Sequence, residues 1–400
     1  MKNIPIYIEF FTKMASAVFT LLLGKVLFDQ TNSLWAFATA YGGEFLIVSI
    51  IQLYAGSLAD KYSPIKLLIL INTLSISTFI ILALSYDILL STGMLIAAMV
   101  VYIFRPFYRT CLFVLIRNLV EEDELKVLNG RVTSASQFGQ VIGLSATGLM
   151  LFHTSEVLIF YVMAFIYLLC LSMSMYLNKK CQFKSHSSKT SMDTYVSWRS
   201  FFKFCQQKKP FTVRLISSFS IAVSLAGFYV LLAPLVADEF SNNEIWLSFL
   251  SVSYALGAII SGILIKTLMT KLPNLTSDRL LLLNQIIGTA CFLSYALIET
   301  LIWLPALLFL FGISTTLAAV SLSSFLQFNT LDEIAGRTAA IQNIVIAAGN
   351  AFVAAFASFL FDMSFHYAAI GVALCLMVLS VIFMVCFKLY PEKKADELHN

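Results

Sequence analysis

Lys13, Lys25, Arg105 and Arg109 are the basic residues that stand inside long apolar runs of this sequence. A charge in such a run costs about 2.5–3.5 kcal/mol to place in a bilayer, so each one asks for a functional reason. Glu9 and Lys13 are four apart, as are Arg105 and Arg109; on a helix that spacing sets both members on one face. An arginine can grip a carboxylate with two parallel hydrogen bonds. The bases outnumber Glu9 and Glu44, which suits an anionic ligand. It suits a lipophilic cation poorly, because such sites use a buried acid and aromatic faces. Glu9 and Glu44 are the acids placed to carry a proton, since an apolar setting raises a carboxyl toward the physiological range, although Lys13 beside Glu9 opposes that shift. Pro106 would loosen the helix beside Arg105 and free a carbonyl. Gln137, Asn343, Tyr229 and Tyr254 are candidates to complete the site, and interhelical hydrogen bonding alone would equally explain them. The plain alternative for Arg105 and Arg109 is that they snorkel or pair with the acids of Glu121–Glu124.

The elements that must position these residues follow from composition. The 400 residues are 59% hydrophobic and 12% charged, about half the roughly 25% charge of soluble proteins. Apolar runs long enough for a helix to cross a bilayer, about 20 residues, recur along almost the whole chain. A barrel would instead alternate polar and apolar residues over about ten-residue segments. The pattern predicts twelve spans at 5–28, 34–57, 66–86, 91–114, 129–152, 157–177, 211–236, 245–266, 279–299, 302–326, 337–361 and 366–388. The first reads as a retained span rather than a signal peptide, because Glu9 and Lys13 interrupt it and no small-x-small cleavage site follows.

Several classes are excluded. The seven cysteines form no C-x-x-C pair, so neither a metal site nor a disulfide framework is indicated. There is no HExxH helix and no G-x-x-x-x-G-K-[ST] loop, and His153 and His366 are lone residues near span ends. No enzyme and no cofactor is expected. The net charge of +4 is spread over short loops and implies no nucleic-acid partner. The expected partners are the lipid bilayer, a small-molecule substrate and protons, with the chain a monomer.

Loop charge orients the spans. Lys61, Lys66, Arg117, Lys126, Lys179, Lys180, Lys208, Lys209 and Lys271 lie in loops of one side, with Lys2, Lys393 and Lys394 at the termini of that side. The opposite loops hold no Lys or Arg and carry Asp29, Asp87, Glu156, Asp238, Glu239, Glu244, Glu299 and Asp362. Basic excess marks the cytoplasmic side, so both termini are expected there, in a multi-pass protein of a bacterial inner membrane.

GRVTSASQFGQVIG at 130–143 parallels GRTAAIQNIVIAAG at 336–349. Arg131 matches Arg337, Gln137 matches Asn343 and Gly143 matches Gly349, all at one offset (337 − 131 = 206). Spans five and eleven are therefore equivalent members of two repeated halves, a transporter plan with the substrate site between them. The fold class is an all-α membrane protein with two pseudo-symmetric six-helix bundles. The expected boundaries are a first bundle at 1–177, a linker at 178–210, a second bundle at 211–390 and a tail at 391–400. Within the linker, a short amphipathic helix on the inner surface would turn Trp198, Phe201, Phe202 and Phe204 toward lipid; a simple loop is the alternative.

After span two the chain reads Gly56-Ser-Leu58-Ala-Asp60-Lys61-Tyr-Ser-Pro-Ile-Lys66. This resembles the G-x-L-x-D-R/K-x-G-R-K loop of the major facilitator superfamily, with Ser63 in place of the second glycine. LVEEDELKVLNGRVTSASQFGQVIG and LFDQTNSLWAF resemble the macrolide-efflux and siderophore-exporter branch; the likeness thins in the second half. The resemblance implies that spans one and four line a central cavity, which would bring Glu9 together with Lys13 or Arg105. It also implies a gating latch of Gly56, Asp60 and Lys61 with Arg131 and Arg337. Antiporters of the family often carry G-x-x-x-G-P in span five, and here Gly139 and Gly143 are followed by Leu144. The implied function is secondary transport of a small anionic molecule, carboxylate-bearing or siderophore-like, by proton-coupled export. Import of a similar nutrient and efflux of macrolide-like drugs are the alternatives.

Overall fold

The computed structural model describes the backbone of residues 2–31, 34–180, 198–239, 244–271, 276–297 and 303–391. It describes the side chains there apart from 24, 27–46, 87–92, 122–123, 148–149, 152, 233, 237–245, 247, 269 and 297. The described chain is helical. In order it forms α1 (Ile4–Thr31), α2 (Leu34–Lys61), α3 (Pro64–Leu119), α4 (Glu122–His153), α5 (Glu156–Lys180) and α6 (Trp198–Gln207). Then come α7 (Lys209–Glu239), α8 (Glu244–Lys271), α9 (Ser277–Leu297), α10 (Leu304–Asn329), α11 (Ala335–Phe361) and α12 (Phe365–Leu389). Local chemistry sets several ends. Pro64 opens α3, where its missing N–H costs no hydrogen bond, and the Ser364 hydroxyl caps α12 by accepting from the Tyr367 N–H.

The long α3 contains two membrane-crossing stretches, Pro64–Tyr86 and Gly93–Leu119. Leu68 and Leu112 share one core cluster, yet 44 residues of straight helix would part them by about 66 Å. The segment therefore doubles back, and its two arms are spans three and four. The expected break near residues 87–90 is helical instead. With α3 counted twice and the short α6 set aside, the helices supply twelve spans of an all-α membrane protein.

Two compact units divide the chain. The first comprises Met1–Tyr195 together with Thr330–Ile344; the second comprises Val196–Asn329 and Val345–Asn400. In the first, α1 packs on α4 and α3 on α5. A Cβ on Gly143 of α4 would meet the Met14 carbonyl of α1 at 2.5 Å and the Ala17 Cβ at 2.9 Å. In the second, α8 packs on α10 and α9 on α12. A Cβ on Gly349 of α11 would meet the Phe219 carbonyl of α7 and the Ala222 Cβ, both at 2.8 Å. Each glycine thus faces a carbonyl and, three residues on, an alanine, so the repeat legible in the sequence is a repeat of packing.

The short α6 exists as a helix, but its faces are shared differently from the expectation. Phe201 and Cys205 are buried, with Phe201 1% exposed, while Phe202 is 52% exposed. Phe204 packs edge-on to Phe211 of α7 at 5.2 Å between ring centroids. Phe201 and Phe204 therefore turn toward protein rather than lipid. Residues 181–197 of the linker lie outside the described residues, as do 392–400 of the tail.

Candidate functional site

In the first unit α1 faces the second arm of α3. The Tyr108 hydroxyl donates to Glu9 Oε2 at 2.7 Å, and Glu9 is buried. Seven residues on, the Ser16 hydroxyl accepts from Arg105 Nη2 at 2.8 Å. The Arg105 guanidinium also lies 5.4 Å from the Tyr102 ring centroid. Lys13 sits half-buried on α1 between these two cross-helix bonds. Thr12 hydrogen-bonds Tyr108 and lies 3.7 Å from Cys170 of α5, joining three helices in one polar patch. Apolar packing surrounds it, so a charge there faces a low dielectric and interacts strongly with any opposite charge that enters. Arg105 is half-buried and Arg109, one turn on, is exposed.

The sequence missed Tyr108 and Ser16, because a lone hydroxyl in an apolar run is ordinary. Their spacing from Arg105 and Glu9 was the available signal. Lys25 belongs elsewhere: it pairs with Glu156 of α5 at 2.7 Å, at the far end of α1. It therefore does not add to the positive charge around Arg105. The Glu44 side chain lies outside the described residues. Gln137 on α4 and Asn343 on α11 are both half-buried. In the second unit Tyr254 is buried, stacking on Phe228 at 4.6 Å. Tyr229 is exposed, its ring edge-on to Tyr254 at 6.5 Å.

A second constellation lies at the end of α2, three residues beyond the expected span. Asp60 accepts from the Gly336 N–H, from the Arg337 N–H at 3.3 Å, and from Arg337 Nη1 at 2.7 Å. Gly56 permits this: a Cβ there would meet the Ala340 Cβ at 2.7 Å and the Gly336 carbonyl at 2.9 Å. The first turn of α11 lends its bare N–H groups to the acid, as helix starts do for anions. Burial pushes the Asp60 carboxyl up to about 7, against the pull of these donors. Arg117 adds a second tie through Asp332 and the Thr330 carbonyl, the latter at 2.7 Å. Lys61 stays exposed over the Tyr62 ring, 5.6 Å from its centroid. Arg131, the repeat mate of Arg337, is exposed.

A sequence profile described as the Major Facilitator Superfamily matches residues 8–354. No curated protein matches the chain in sequence. Solved structures do match in fold. A bacterial homologue of the iron transporter ferroportin, outward-facing, aligns at TM-score 0.79 and 13% identity, covering 97% of this chain and 99% of that one. The Escherichia coli fucose:proton symporter FucP aligns at 0.70 and 14%, covering 96% and 99%. The human organic anion transporter MFSD10 aligns at 0.68 and 12%, covering 97% and 98%. At these identities the likeness is one of fold.

Proposed function

The chain belongs to the major facilitator superfamily, and we propose that it carries a small anionic molecule, carboxylate-bearing or siderophore-like, by alternating access coupled to protons. The observation that carries this reading is Arg105: a guanidinium held in the membrane-crossing part of α3 by Ser16 of α1, over the Tyr102 ring. A charge kept at such cost, and oriented by a hydroxyl of the facing helix, is placed to meet a cargo carboxylate. Lys13 and Arg109 extend the positive field, Gln137, Asn343, Tyr229 and Tyr254 are the further contacts, and Glu9 and Glu44 are the proton carriers. Asp60, held by Gly56 and Arg337, is the gating latch, with Lys61 and Arg131 beside it. The reading is supported by one neighbour of the same fold, an organic anion transporter. The loop charges support both termini inside; export from the cytoplasm of a bacterial cell by a monomer completes the reading. Import of the same cargo class is the second reading, favoured by Leu144 where exporters of the family often have proline.

Proteoliposomes under an imposed pH gradient test it, offered either a citrate-type siderophore or a lipophilic cationic drug. Uptake of the anion and not the cation is expected. Arg105→Ala should reduce it about 10- to 100-fold, the worth of one charge-assisted hydrogen bond, with partial recovery in Arg105→Lys. Undiminished anion transport by Arg105→Ala would sink the proposal.

A further inference from the structure

The second unit buries polar atoms that none of its described residues satisfies. Arg214 of α7 is wholly buried. Its guanidinium meets Asp278 Oδ2 at 2.6 Å and the carbonyls of Pro210 and Tyr390 at 2.8 and 3.3 Å. The rings of Phe325 and Phe387 flank it, 4.9 and 5.5 Å from centroid. Yet among the described residues Arg214 Nε and Asp278 Oδ1 have no partner, nor does the Ser218 hydroxyl one turn along α7. Gln285 is the sharpest case: it is 0% exposed, and both its amide oxygen and its amide nitrogen are bare. Gln52 and Asn72, buried amides of the first unit, each make one bond, to Thr110 and Ser174.

Helix geometry says where Gln285 points. It lies seven residues from Asp278 and seven from Phe292 on α9, so the three share one face. Asp278 meets Arg214 of α7, and Phe292 approaches Gly227 of α7, which also abuts Val372 of α12. Gln285 is bracketed between them, aimed at the groove between α7 and α12. Asn284, its neighbour about 100° round the helix, meets α7 and α10 instead and is satisfied by Ser224, Ser314 and Thr315. A ligand for this seam must donate to a carboxylate oxygen and an amide oxygen and accept from a guanidinium N–H and an amide N–H. It must also bridge about 10 Å, two helical turns. Water does all of this, at two to four hydrogen bonds per molecule.

We propose that the α7–α9–α12 seam holds a file of ordered water molecules running from the Arg214–Asp278 pair to Gln285. The file makes Gln285 the inner end of a hydrated site in the second unit. It does not depend on the cargo proposed above, so its failure would leave that reading standing.

Hydroxyl-radical footprinting of the purified full chain in lipid nanodiscs tests it, because ordered water activated in place oxidises the side chains around it. Leu281 and Phe292 are expected to be labelled well above Phe311, although all three are buried. Gln285→Leu should lower that labelling several-fold. Labelling of Leu281 and Phe292 no greater than that of Phe311 overturns the proposal. Thermal unfolding is the second readout. A hydrated Gln285→Leu site loses its waters and melts at the same or a lower temperature. A rise of more than about 2 °C would mean that leucine relieved a dry, orphaned amide, and that also overturns it.

Discussion

Asp60 shows what burial does to a single carboxyl. Docked against α11 its carboxyl lies at about 7, whereas a solvated aspartate titrates near about 3.9. The docked state thus holds a proton that the undocked state has lost. Its proton-linked advantage is complete below about pH 4 and is lost as pH rises through about 7. The protection of residues 330–344 from hydrogen exchange, relative to the intrinsic rate at each pH, should accordingly fall between about pH 5.5 and about pH 8. In Asp60→Asn that pH dependence of protection should be lost; an unchanged dependence in the variant would show that another group titrates. Asp60 was legible from its loop and Arg337 from its repeat, but their union was not, because 277 residues separate them. Lys25, a base within the first span by position, is paired with Glu156, 131 residues away, a partner that order along the chain does not reveal.

Helices were read from apolar length, and that signal is strong because a bilayer permits little else. Turns were read less well. Local helical turns persist through 87–92 of α3, where a loop is expected from the sequence. How helices meet depends on which small residue faces which carbonyl, and there the repeat gave a usable hint. Gly143→Val and Gly349→Val should each push a helix pair apart and cost about 1–3 kcal/mol or more, lowering the melting temperature of detergent-solubilised protein. Equal losses at the two sites would reflect their matching contacts. If neither variant melts earlier, the close approach of α4 to α1 and of α11 to α7 is wrong. On α6, Phe201→Ala should cost about 3–5 kcal/mol, and Phe202→Ala little, by the same assay. The reverse ranking would restore the lipid-facing reading of Phe201. Amphipathic pattern alone could not rank the two, because the apolar face of a short helix fits lipid and protein equally well.

The first compact unit borrows Thr330–Ile344 from late in the chain. A fragment ending at residue 195 therefore leaves Asp60 without Gly336 and Arg337. It should melt below the same residues co-expressed with 196–400, and co-expression with an Arg337→Ala partner should recover little of the difference. Full stability of the lone fragment would count against this assignment. Sequence-level reasoning set a clean boundary near 178–210, because it sees order along the chain and not which stretch packs where. The acid that receives α11 also has no counterpart. At offsets of 206 to 210 from Asp60 the second repeat places Lys266, Thr267, Leu268, Met269 and Thr270, none of them acidic. A duplicated architecture with room for two such acids has kept one, so the acid itself has no copy. Whatever removes that carboxylate, a mutation or a competing cation, shifts the load onto Arg117, which ties the same stretch through Asp332 and the Thr330 carbonyl.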